Sequence, residues 1–290
     1  MIIVQGPGLV KLDYGPTQMT IFASRDKQPM EAAARQAANY GVEILDKLAQ
    51  YKYIAKKPQS DIVDSNEYPD VLQKMIAAVK QSGDSTLTPM AAVAGSIADM
   101  VADYLQAMGA TKTFVNNGGD IAVRLQGEET LTVGVAPVIG GSHTHLLHIG
   151  ANDGVGGITT SGLGGRSFTK GIATAVTVTA PTAALADACA TSIANSVYTP
   201  HANIKLDYAK NIDPDSDIAE HLVVCEVTEL PPDVIEQALL NGYHQAQKLY
   251  DVKLITGAVL FFYNWGIMLP EKFISPVADV KIEEGLTWKI

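Results

Sequence analysis

The chain has 290 residues, 47% of them hydrophobic and 18% charged, which is ample for one large core or two packed halves. Its formal net charge of −10, with no run of five like charges, argues against nucleic acid as the main ligand, because phosphate backbones demand basic stripes. Cys189 and Cys225 are the only cysteines, too few for a disulfide framework, and the longest apolar stretch, "ITGAVLFFYNWGIML", is interrupted by Gly257, Asn264 and Gly266 and is too short to span a bilayer. The opening "MIIVQGPGLVKLDYG" has neither a basic n-region nor an apolar h-region. The expectation is a soluble cytoplasmic protein with no membrane and no nucleic-acid partner. A homodimer stays open, and so do small phosphate-bearing ligands, which glycine loops and metals bind without net positive charge.

In chain order, "LVKLDYGPTQMTIFAS" alternates around a Gly-Pro turn and reads as a β-hairpin. After Pro29, "MEAAARQAANYGVEILDKLAQY" is an amphipathic helix, with the proline assigned to its first turn. A polar loop over 57–68 precedes a helix from about Pro69 to Lys80. The next helix, "PMAAVAGSIADMVADYLQAMG", closes on Gly109 as C-cap. Short strands follow: "TKTFVNN", "IAVRLQ", "LTVGVAP", "HTHLLHIG" and "ATAVTVTA", joined by glycine turns. The helix within "APTAALADACATSIAN" comes next, then a loop to about Asp217 and the strand "HLVVCEV". A helix opened by Pro231-Pro232 runs to about Asp251, and strands finish the chain. Helices packed on largely antiparallel sheets make the fold class α+β.

Asp187 is the one carboxylate in its alanine-rich helix, with Thr191 one turn later on the same face. A carboxylate and a hydroxyl form half of an all-oxygen shell of the kind Mg²⁺ accepts, water and substrate phosphates completing it. The alternative is an aspartate bonded to a backbone N–H and a threonine satisfying its own helix carbonyl. "FVNNGGDIAV" sets Asn117, Gly118, Gly119 and Asp120 between two strands. That is a hairpin turn, or a place where backbone N–H groups approach a ligand closely. "TTSGLGGRSFTKG" interleaves glycines and hydroxyls with Arg166 and Lys170, which suits a phosphate or carboxylate ligand or a plain flexible loop; it matches neither the Walker nor the Rossmann pattern. His143 and His145 would share a strand face, but no cysteine or carboxylate lies near at zinc-ligand spacing. Cys189 points away from Asp187 and Thr191 and reads as packing.

Taken in order, the glycine-containing helix start, "VNNGGDI", the "TSG" strand end and "AVTVTAPTAALADACAT" resemble the ApbE family, Mg²⁺-dependent FAD:protein FMN transferases once linked to thiamine biosynthesis. The resemblance covers roughly residues 85 to 200. It implies an α+β fold of ApbE type, with T-fold-like halves intimately packed in a single domain over 1–290. It also implies that Asp187 and Thr191 bind magnesium and that Gly95, Asn117, Gly118, Gly119, Asp120, Thr160, Ser161, Gly162 and Lys170 line a FAD- or FMN-like ligand, all around one cleft. Ser161, Asp120 and Arg166 are the candidate catalytic residues. In "AGSIAD" both Gly95 and Asp99 carry over from the family's lysine-glycine-then-aspartate helix start, but Ala94 replaces the lysine; carbonyls near Ala91 to Val93 are candidates for a further metal ligand.

Between "TSG" and the final strand, flavin transferases carry a histidine-x-x-aspartate-proline segment, and "LGGRSFTKGIAT" has none of these residues. The chain therefore looks nearer to a short soluble ApbE-like branch of archaea and anaerobic bacteria, some members of which are linked to sulfur incorporation in homocysteine synthesis. The function implied is an enzyme acting on a small anionic or nucleotide-like substrate with Mg²⁺. The alternatives are a non-catalytic flavin or nucleotide carrier, and a partner protein in sulfur transfer. The last would need an exposed, acidic Cys189 or Cys225, and Cys225 is expected to be shielded in its apolar strand.

Overall fold

Period-two burial opens the chain. Strands β1 (Ile2–Gly6), β2 (Leu9–Tyr14) and β3 (Thr17–Arg25) pair antiparallel, with Val10, Leu12, Met19 and Ile21 on the fully buried face. The computed structural model describes residues 1–277 and 287–289. A short β4 (Gln28–Pro29) returns onto β3, so Pro29 ends a strand and does not sit in the first turn of the helix, contrary to the sequence reading. Helix α1 (Glu31–Ala49) buries a stripe of small residues, Ala33, Ala34, Ala37, Ala38 and Gly41, and α2 (Lys52–Ala55) and α3 (Asp70–Gln81) follow.

Helix α4 (Val93–Ala107) begins after a single 3₁₀ turn, Pro89–Ala92, and is buried over most of its length. Its C-terminus ends at Gly109, whose φ of +89° suits the left-handed position after a helix. There Arg25 donates to the orphan carbonyls of Met108 and Gly109, the latter at 2.7 Å. Strands β5 (Lys112–Asn117) and β6 (Asp120–Leu125) form a hairpin, and β5 also pairs with β3.

The remaining elements are β7 (Thr130–Val135), β8 (His145–Gly150), β9 (Gly157–Ser161), β10 (Ala175–Ala180), α5 (Ala183–Ser196), β11 (Ile204–Tyr208), α6 (Ala209–Ile212), β12 (Leu222–Val227), α7 (Pro232–Asp251), β13 (Gly257–Phe262), β14 (Trp265–Leu269), β15 (Ser275–Pro276) and β16 (Trp288–Lys289). Two compact units share them. The first is Met1–Leu131, Ile149–Thr159 and Thr179–Ala188, and the second is Thr132–His148, Thr160–Val178 and the described residues from Cys189 on.

In the first unit the strand order is β1-β2-β3-β5-β6-β9, with α1 and α4 packed on the sheet and α3 on α4. In the second the order is β10-β13-β14-β16, alongside a β15-β8-β7 sheet and a β11-β12 ribbon. Helix α7 lies on β13 and β14, where Gly242 leaves room for Val197 and Leu260. The architecture is α+β, with antiparallel sheets packed against helices. No helix among the described residues is long and apolar enough to cross a membrane.

Candidate functional site

In the first unit the site is built on a close backbone approach. Gly95 is the third residue of α4, and a Cβ there would overlap the carbonyl of Ala183 at the start of α5. A Cβ on Gly157, at the start of β9, would overlap the Ala183 backbone from another direction. At this contact each helix caps the other. Asp99 of α4 is fully buried and accepts the N–H groups of Ala183 at 3.0 Å and Ala184 at 2.9 Å. Asp187 of α5 accepts the Gly95 N–H at 3.0 Å. These amides lie in first turns, which lack intrahelical acceptors, so each carboxylate fills a vacancy the backbone leaves. Each also lies at the positive end of the other helix's macrodipole. The backbone N–H that the sequence reading weighed as Asp187's alternative partner is present, and it comes from 92 residues away.

Arg124 balances Asp99. Its Nη2 lies 2.9 Å from Asp99 Oδ1, its Nε donates to Asp103 at 2.7 Å, and its Nη1 donates to the Gly156 carbonyl at 2.9 Å. Burial alone would lower this guanidinium, but Asp99 and Asp103 outweigh it and hold Arg124 above its ordinary value. Lys74 stands 4.0 Å from both carboxylates. Sequence reasoning named Asp99 at the helix start but gave it no partner; the trace of Arg124 was a lone arginine in the otherwise apolar strand "IAVRLQ".

The "VNNGGD" segment reaches the same helix start. Asn117 Nδ2 donates to the Ala94 carbonyl at 3.2 Å, next to Gly95. Asn117 and Asp120 are register partners closing β5 and β6, with Gly118 at φ +72° and Gly119 at φ +113°. Positive φ at both turn residues is the preferred hairpin geometry, and Asn116 Oδ1 accepts the Gly119 N–H at 2.9 Å. Gly118 and Gly119 are exposed and Asp120 is half-buried. Three segments far apart in sequence, carrying Gly95, Asn117 with its turn, and Asp187, thus meet in the first unit.

The other candidates fall in the second unit. Thr160 shares a 2.9 Å hydrogen bond with Thr177, and Ser161 is half-buried at the end of β9. Gly162 sits at φ +147°, where a Cβ would lie 2.8 Å from the Ala173 carbonyl. Arg166 is exposed in the loop that follows. The Lys170 N–H donates to Asn195 Oδ1 of α5 at 2.9 Å. Thr191 is half-buried on α5, one turn beyond Asp187.

Two expectations are corrected in this unit. His143 lies outside β8, packed beside Gly134, so it does not share a strand face with His145. Cys225 is exposed, because the β11–β12 register skips it: Lys205 pairs with Glu226 and Leu206 with Val224, and the bulged residue turns outward. Cys189 is buried as expected, and burial pushes its thiol up to about 12.

Among the described residues no group of three or more His, Cys, Asp or Glu could cage a metal. Asp187 and Thr191 nevertheless fit Mg²⁺, a hard cation that takes one or two carboxylates and leaves its other positions to water and phosphate oxygens. A groove of about 240 Å³ in the first unit, lined by Gln106, Arg124, Gly156 and Pro181 among others, includes none of the residues singled out from the sequence.

The UPF0280 protein of Methanococcus vannielii is 35% identical over 179 residues, 58% of this chain and 70% of that protein. The UPF0280 protein of Methanothermobacter thermautotrophicus is 34% identical over 167 residues, 55% of this chain and 62% of that protein. Among solved structures, the ApbE protein of Thermotoga maritima is similar at a TM-score of 0.49 and 13% identity, over 87% of this chain and 94% of that one. The family model described as "AbpE bacteria" matches residues 3–268, nearly the whole chain, and this protein belongs to that family.

Proposed function

We propose that this protein is an ApbE-like enzyme that binds a small anionic, nucleotide- or flavin-like substrate together with Mg²⁺. The observation that carries the reading is the meeting of three family motifs at the start of α4, through the Asp187–Gly95 and Asn117–Ala94 hydrogen bonds. Asp187 and Thr191 would hold the cation, which when bound supplies Lewis-acid polarisation of a phosphoryl oxygen. The chain's own groups do the rest. The exposed Gly118–Gly119 turn lets backbone approach a ligand where a side chain would block it. In the first unit, the Asp120 carboxylate beside that turn would accept a proton from the attacking group; in the second, the Ser161 hydroxyl and the Arg166 guanidinium are each suited to an anionic oxygen.

Flavinyl transfer itself is not part of the proposal, since "LGGRSFTKGIAT" lacks the transferases' histidine, aspartate and proline. That same absence favours a second reading, a non-catalytic flavin or nucleotide carrier. A sulfur-transfer partner working through Cys189 is disfavoured by a buried thiol held up to about 12.

Thermal melts of wild type and Asp187→Asn, each with millimolar Mg²⁺ or chelator and with or without FAD or ADP, test the reading. Wild type should gain stability with Mg²⁺ and further with nucleotide, by mass action, and the variant should gain little from Mg²⁺. Nucleotide stabilisation without turnover of any phosphoester probe would favour the carrier. A wild-type melt indifferent to both metal and nucleotides would defeat both readings.

A further inference from the structure

We propose that Asp99, backed by Arg124, is a positioning residue for the Asp187 carboxylate: it fixes the first turn of α5 so that Asp187 meets Gly95 in one orientation. The inference rests on the metal reading above for its consequence, but its geometry stands apart from it. Ala183 and Ala184 open α5, and their amides have Asp99 as acceptor. The local cap, Thr182 Oγ1, accepts only the Leu185 N–H, at 3.2 Å. Asp187 follows Ala183 by four residues, slightly more than one turn, so the rotation of that first turn about the helix axis sets the direction of the Asp187 side chain. The seat is tight as well, since backbone at Ala183 touches glycine on two sides.

The chemistry explains why the residue is an aspartate. Three donors converge on it: two amides and one guanidinium. An ionised carboxylate accepts on both oxygens, whereas an asparagine would turn an NH₂ toward one of those donors. A fully buried charge needs a partner, and Arg124 provides it. Arg124 also donates to Gly156 in the strand-side glycine pair, so one side chain joins β6, α4 and the segment leading into β9. Asp103 shares the guanidinium but, among the described residues, makes no hydrogen bond to α5. It provides a control of equal charge.

The test uses the whole protein and two readouts: amide hydrogen exchange at Gly95, Ala183 and Ala184 without metal, and Mn²⁺ affinity by water-proton relaxation. In Asp99→Asn, exchange at all three amides should rise by about tenfold or more, and Mn²⁺ affinity should fall by about tenfold or more, the usual scale for losing a residue that orients a metal ligand. Asp103→Asn should stay near wild type in both. Asp187→Asn should release Gly95 alone and leave Ala183 and Ala184 protected. If Asp99→Asn frees Ala183 and Ala184 while Gly95 exchange and Mn²⁺ affinity stay at wild-type values, Asp99 caps α5 without orienting Asp187 and the proposal fails. It fails too if Asp103→Asn matches Asp99→Asn, since the effect would then be net charge. Should wild type bind no Mn²⁺, the metal reading falls, and Gly95 exchange alone decides the positioning role. If Asp99→Asn does not fold, Arg124→Lys, which keeps the charge but loses the fork, takes its place; faster exchange at Gly95 supports the proposal and wild-type exchange overturns it.

Discussion

Gly95 has room for a hydrogen and nothing larger. A methyl there would meet backbone at Ala183 rather than a side chain that could swing away, so Gly95→Ala should cost at least the roughly 1–3 kcal/mol typical of overpacking. Its urea midpoint should drop well below that of Ala98→Gly on the same helix, where the loss is a helix-propensity and packing effect; equal midpoints would show that α5 yields easily. His145 is a residue of a different kind. It is fully buried, hydrogen-bonded through Nδ1 to Thr144 at 2.9 Å and set beside the Phe261 ring, with no hydrogen-bond partner for Nε2 among the described residues. Burial holds its pKa below the ordinary histidine value. The folded protein therefore binds fewer protons than the unfolded chain once pH falls below about 6.5, and acid favours unfolding. The stabilisation from keeping His145 neutral is complete above that pH and is lost as pH descends toward the depressed value. Urea unfolding of wild type and His145→Gln at pH 7.5 and pH 5 should show the larger acid loss in wild type, and parallel losses would assign the acid sensitivity elsewhere.

At the scale of elements, what could be read was what repeats locally. The hairpin of β2 and β3, helices α1, α3 and α4, the Gly109 stop and the β5–β6 hairpin all follow from periodicity and turn residues within a short window. Strand β9 was read only by its "TSG" end, because Gly156-Gly157 at its start looks like a turn; those glycines are there so that α5 can pass close by. Strand β11 was taken as loop although Ile204, Leu206 and Tyr208 alternate with Lys205 and Asp207; the run is only five residues long, and four of them are exposed. Cys225 was misjudged for a related reason, a bulge that no composition announces. Within the candidate site, Asp187, Asn117 and Gly95 were legible as types in a pattern. The Asp99–Arg124 pair was not, because its meaning lies in α5 amides reached only through the fold.

The whole molecule is not divided at a single point along the chain, and the first unit takes three separate segments. A fragment of residues 1–131 keeps β1 to β6 and α1 to α4 but lacks β9, the partner of β6, and the α5 amides that Asp99 accepts. It should therefore melt without a cooperative transition, and a sigmoidal melt with native-like near-UV dichroism would contradict this. The mutual capping of α4 and α5 also bears on how long the folded state lasts. Asp99 and Ala183 are 84 residues apart, so their contact closes a long loop, and contacts of that separation form after local ones. The cap should be missing from the folding transition state. Asp99→Asn should then leave the refolding rate almost unchanged and speed unfolding by nearly the full loss of stability, which stopped-flow chevrons would read directly. Equal shifts in both arms would place the cap in the nucleus. On the expected result, two carboxylates that do little to get the chain folded set the lifetime of the fold once it has formed.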